Sequence, residues 1–187
     1  MKTKKLIFAA LFAALTCVAT MIIKVPTPTM GYIHPGDSIV LLSGFLLGPI
    51  YGGLAAGIGS MFSDLFGGYF SYAPATFVIK TCTAVLASLV FGALTKKHSE
   101  VSSGKQAAYT AISGTIGEAF MVLGYFVFEI FLMAVATGDG FSSTSLAAGV
   151  ASSASGIPFN MVQGLFGVIL STILYPLLKK PLAQFTD

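Results

Sequence analysis

Apolar residues fill this chain in runs too continuous for the one-sided stripe of a soluble helix, and the polar positions between them mark its loops. Leu6 to Ile23 holds 18 residues without a charge, enough for a helix over about 6–24 to cross the roughly 30 Å hydrocarbon core of a bilayer. Pro26, Pro28 and Pro35 then exclude regular helix, so 25–36 reads as a loop, carrying Tyr32 and His34. Asp37 opens the next apolar run and suits an N-cap or a first-turn acid. That run, to Phe66, is long for one span and short for two, and Gly48-Pro49 interrupts it. The pattern predicts two short helices, 37–48 and 51–67, meeting at a tight turn; a re-entrant hairpin is the alternative.

The rest follows the same rhythm. GGYFSYA over 67–73 is an aromatic loop with Tyr69 and Tyr72, and Pro74 suits the first turn of a helix over 74–95. A polar linker over 98–106 contains His98, read as solvated. A helix over 107–136 is longer than a straight span requires and must tilt or protrude. The Gly-, Ser-, Thr- and Ala-rich stretch 138–157 reads as a long loop, with Pro158 starting a last helix over 158–178. The expected fold is therefore an all-α integral membrane protein: one membrane domain, 1–187, of six transmembrane helices.

Composition agrees. Of the 187 residues, 55% are hydrophobic and 9% charged, and mean hydropathy is +0.87, whereas a soluble domain carries about 25% charge. Lysine supplies every basic side chain. Lys2, Lys4, Lys5, Lys96, Lys97, Lys105, Lys179 and Lys180 fall in the two tails and the 95–106 linker, and the loops 25–36, 68–73 and 138–157 carry none. By the positive-inside rule both termini are expected in the cytoplasm, with those three loops outside and the chain in the cell membrane. Nucleic-acid binding would need a basic patch that is absent outside short loops. The lysines before LIFAALFAALTC resemble a signal peptide, but Thr16 before Cys17 and the lack of an A-x-A site make cleavage a poor fit. Cys17 and Cys82 lie within apolar runs and read as core residues, since metal sites need clustered ligands.

Ionisable groups in a membrane cost roughly 2.5–3.5 kcal/mol each and so face a cavity or a partner. Asp64, Lys80, Glu118 and Glu129 are in that position. At about 1.5 Å per residue, Asp64, Lys80 and Glu129 lie roughly 6–10 Å below the outer ends of their helices. Asn160 and Gln163 join that layer, and Glu118, Tyr125 and Glu129 share one helix face. A buried Asp64–Lys80 ion pair would explain two of these groups and leave the others unsatisfied. With Tyr32, His34, Tyr69 and Tyr72 above it, the layer reads as a chamber for a small planar ring with hydrogen-bonding substituents. At the first helix, Ala9/Ala13 and Ala10/Ala14 form small-residue stripes that fit either internal packing or docking of a membrane partner.

Motifs for nucleotide hydrolysis, metalloprotease or serine-hydrolase chemistry are missing, so neither an enzyme nor a cofactor is expected. The chain is short for the paired repeats of most secondary transporters. Over nearly its whole length it resembles the substrate-binding S component of energy-coupling factor (ECF) vitamin transporters. The resemblance rests on the six-helix pattern, the alanine stripes and the run GYIHPGDSIVLLSGFLLGPIYGGLAAGIGSMFSDLFGGY. It implies high-affinity capture of a vitamin from outside. It also implies docking through the first helix onto an ECF transmembrane coupling subunit served by two ATPase subunits. GYIH-x-GD and YAPAT-x-x-IK look most like members assigned to pyridoxine or hydroxymethylpyrimidine. A riboflavin-type S component is the alternative within the family, and a stand-alone proton-coupled carrier the alternative outside it.

Overall fold

The computed structural model describes residues 2–29, 31–96, 102–136 and 140–186; Lys97, His98 and Gly138 lie outside the described residues. Five helices dominate: α1 (Lys2–Ile22), α2 (Asp37–Gly67), α3 (Ala73–Thr95), α4 (Ser103–Ala136) and α5 (Ser143–Thr186). Among the described residues each contains a stretch long and apolar enough to cross a membrane. Between α1 and α2 the proline-rich segment forms a small antiparallel hairpin of β1 (Val25–Pro26) and β2 (Tyr32–Ile33), with Val25 opposite Ile33.

The second of the five elements is not one continuous helix: it doubles back at Gly48, where the sequence places a turn. Gly48 has φ 80° and ψ 178°, a conformation that glycine alone adopts without strain. Pro49 then restarts the helix with φ already set. Ser43 Oγ donates to the Gly52 carbonyl at 2.9 Å, whereas a straight helix would separate residues nine apart by about 13.5 Å. The arms are unequal, about 16 Å for 37–47 and about 28 Å for 49–67. Laid side by side from the turn, they bring Asp37 level with about residue 60 rather than with the end of the second arm. An acid at a helix start is thereby carried deep into the protein.

One departure is the stretch expected as a loop over 138–157. It is helical from Ser143, with Ser142 Oγ accepting the Ser145 N–H at 3.1 Å as a cap. Its composition looks loop-like because its packed face is made of small residues: Ser145, Gly149, Ser153, Gly156 and Asn160 are buried at helical spacing. Gly149 lies so close to the Ile130 backbone of α4 that a Cβ would stand 2.8 Å from that carbonyl oxygen, and close approach is what small residues permit. Pro158 consequently sits inside α5, as do Pro176 and Pro181. Helix α4 begins at Ser103 rather than 107. The aromatic loop behaves as expected. Gly68 closes α2 with φ 82°, and Pro74 occupies the first turn of α3.

Two kinds of core result. At the end carrying Lys96 and Lys179, Phe12, Leu41, Leu42, Phe45, Phe91 and Tyr175 form an apolar cluster. At the loop end Tyr72, Ile79, Met121 and Tyr125 pack together, and the polar groups gather beside them.

Candidate functional site

Three strands of hydrogen bonding meet beneath the loops. Lys80 of α3 donates to Asp37 Oδ1 at 2.5 Å, both side chains being wholly buried. Gln163 of α5 donates through Nε2 to Asp37 Oδ2 at 2.7 Å and accepts the backbone N–H of His34 through Oε1 at 2.9 Å. One network thus ties α2, α3, α5 and the segment after β2. It corrects the expected Asp64–Lys80 pair: the unequal arms of α2 bring Asp37, not Asp64, to the ammonium.

Asp64 instead accepts the phenol of Tyr32 at 2.7 Å, fastening the β-hairpin to the long arm of α2. Glu129 of α4 accepts the Thr29 hydroxyl at 2.8 Å, and Tyr72 donates to the Thr29 carbonyl at 2.6 Å. These bonds hold the other side of the hairpin loop to α4 and to the start of α3. Tyr125 donates to Thr76 Oγ1 at 3.1 Å, joining α4 to α3.

The loop residues stay in their uncharged forms. Desolvation by burial, with the Asp64 charge second, pushes the Tyr32 phenol above its ordinary value. Burial followed by Glu129 does the same for Tyr72. Both hydroxyls therefore remain donors. Desolvation also lowers His34 well below the usual histidine range, Lys80 and Lys24 adding to this against the opposing pull of Asp37. Its Nδ1 accepts the Gly36 N–H at 3.1 Å, which leaves the proton on Nε2.

A chamber lies within this framework. Of the ten residues singled out from sequence, Tyr32, His34, Asp64, Tyr72, Tyr125, Glu129, Asn160 and Gln163 line it. Tyr69 and Lys80 do not. Tyr69 packs against Tyr32 with the rings tilted by 51° and their centroids 4.6 Å apart, and Lys80 is held by Asp37 with its ammonium 5.3 Å from the Tyr125 ring centre. Thr20, Thr27, Gly31, Ser60 and Thr76 complete the lining. Thr20, Ser60 and Thr76 are small polar residues within apolar runs, and Thr27 and Gly31 are loop residues, so no distinctive spacing in the sequence marks any of them. The chamber has room of about 20 Å³, enough for roughly one water.

A separate apolar groove of about 630 Å³ runs between α1 and the long arm of α2. Ala9, Ala10, Ala13 and Ala14 all line it, but they divide in use. Ala9 is buried and Ala13 half-buried, with the Ala13 carbonyl and Thr16 against Gly59 of α2. Ala10 and Ala14 remain exposed.

Among the described residues, five helices long and apolar enough to cross a membrane, with a polar chamber beneath the loops that join them, define a helical membrane bundle. The comparisons with known proteins are more particular. Residues 1–180 match the family described as ECF-type riboflavin transporter, S component, and the chain belongs to that family. S components are the substrate-binding subunits of ECF transporters, not enzymes. An uncharacterised protein of Pyrococcus woesei is 31% identical over 163 residues, covering 87% of this chain and 98% of the relative. A solved S component of a bacterial ECF transporter superposes with a TM-score of 0.60 at 21% identity, over 100% of this chain and 99% of that one; this likeness establishes the shared fold.

Proposed function

We propose that this protein captures a small ring-bearing vitamin or vitamin precursor in the chamber beneath its loops and delivers it through an ATP-driven ECF complex in the cell membrane. The observation that carries the reading is the convergence of polar and aromatic side chains from the hairpin, α2, α4 and α5 on one chamber. In this reading both termini are cytoplasmic and the loop end faces outward, which the lysine distribution favours. The exposed Ala10/Ala14 edge of the apolar groove is the docking surface for a transmembrane coupling subunit, which two ATPase subunits serve. The resemblance of the GYIH-x-GD and YAPAT-x-x-IK segments favours pyridoxine or hydroxymethylpyrimidine as the ligand. Riboflavin is the second reading, favoured by the description of the matching family.

Native mass spectrometry of the protein purified alone from rich medium tests this directly. A co-purified intact vitamin supports capture and names the ligand. Recovery of a chemically altered product, or transport by the purified chain in liposomes without ATPase partners, overturns it.

A further inference from the structure

Four of the seven acidic residues, Asp37, Asp64, Glu118 and Glu129, are at most 4% exposed within the helices, and Lys80 is the buried lysine among them. Its ammonium is committed to Asp37. Lys24 stands over the Tyr32 ring, 4.3 Å from its centre, and does not line the chamber. The chamber wall therefore carries Asp64 and Glu129 and, among the described residues, no lysine. Lys80 and Lys24 offset the Asp64 charge only from outside the wall, Glu129 has hydrogen bonds from Thr29 and Tyr72 but no lysine beside it, and a proton or a cationic guest meets the remaining cost of burying the carboxylates.

The hydrogen bonding has the same bias. Asp64 uses Oδ1 for Tyr32, and the Thr76 hydroxyl is a second donor beside the carboxylate; Oδ2 is buried and makes no close hydrogen bond. Glu129 uses Oε1 for Thr29, and its Oε2 is likewise buried and unpartnered. These two oxygens come from different walls, α2 and α4. Buried polar atoms are nearly always paired, so two carboxylate oxygens without a close hydrogen bond in one chamber are places where a guest's donors fit. The tyrosine rings beside them favour a planar cation.

We infer that the chamber selects a small planar ring bearing an ammonium or amino group, whose N–H donors reach Asp64 Oδ2 and Glu129 Oε2, and rejects rings bearing a carboxylate or phosphate. This rests on the reading of the chamber as the capture site and narrows its ligand class.

The test uses one ring with one changing substituent. Pyridoxamine, pyridoxine and 4-pyridoxate, with riboflavin as a neutral tricyclic comparison, are titrated into the full-length protein in lipid nanodiscs by calorimetry. The expected result is binding of pyridoxamine at least about 10-fold tighter than pyridoxine, a difference of about 1.4 kcal/mol, with no measurable binding of 4-pyridoxate. Asp64→Asn and Glu129→Gln, checked for cooperative unfolding, are expected to reduce the preference for the amine to about 3-fold or less. Equal or tighter binding of 4-pyridoxate overturns the inference from the wild-type protein alone. So does an amine preference unchanged in both variants. Tight riboflavin binding that neither variant affects overturns the inference while leaving capture intact. Folded protein that binds none of the four compounds overturns the inference, while capture itself is decided separately by the mass spectrometry of the purified protein.

Discussion

The two ends of the bundle are built on different principles. At the lysine-bearing end, Phe45, Phe91 and Tyr175 contact one another with centroids 5.1–6.0 Å apart, and apolar packing predominates. At the loop end, the Asp37–Lys80–Gln163–His34 network and the Tyr32–Asp64 and Thr29–Glu129 bonds hold the same helices by directed polar contacts. Packing at the first end has many near-equivalent solutions, because dispersion is non-directional. Polar contacts at the second end have few, because each partner removed leaves another group buried and unsatisfied. The helices are thus fixed where the chain is apolar and keyed where it is polar, and the keyed end is the one that encloses a chamber.

Breaking the keyed end should cost most. Lys80→Met leaves Asp37 buried without its cation and is expected to lower stability by about 4 kcal/mol. Asp37→Leu combined with Lys80→Met should recover most of that loss, because no charge is then stranded. Denaturant unfolding in detergent micelles measures both, and a double variant as unstable as the single one would show that the pair is not the key. At the packed end, Phe91→Ala is expected to cost about 3 kcal/mol with ligand affinity unchanged in the protein that folds. A parallel fall in affinity would show that the two ends are not separable.

Smaller changes sharpen the contrast. Tyr32→Phe keeps the ring against Tyr69 but removes the bond to Asp64, a charge-assisted bond contributing about 2 kcal/mol. Faster amide exchange confined to the hairpin is the expected readout; protection unchanged there would show that Asp64 does not fasten it. His34 should make the loop end acid-sensitive. Its imidazole is held below its ordinary value in the fold, so the unfolded chain binds the proton more readily. Stability is complete above about pH 6.5 and falls as pH drops toward the lowered folded value. The thermal midpoint should decline between pH 7 and pH 5 in the wild type and less in His34→Gln; parallel profiles would remove His34 as the cause. Ala10→Leu with Ala14→Leu touches neither end. Stability and ligand binding should be unchanged while uptake with partner subunits is lost, and normal uptake would release that edge of the groove from a docking role.

The sequence by itself determined the membrane-embedded helical class, because unbroken apolar runs and nine per cent charge permit little else. It also located the break at Gly48-Pro49, the aromatic loop, and eight side chains of the chamber wall. The residue types that tolerate a positive φ, or that are costly in a bilayer, announce themselves without a structure. Tertiary structure decided the pairing. Which acid meets Lys80 depends on the unequal lengths of the two arms of α2, which set the depth of Asp37 and which no local pattern encodes. The helical state of 143–157 was likewise settled by α4, whose close approach rewards a face of Ser, Gly and Asn that by composition alone reads as loop. The division of the alanine stripes was decided by Gly59, since a small residue on one helix is a packing face only when another helix arrives opposite it.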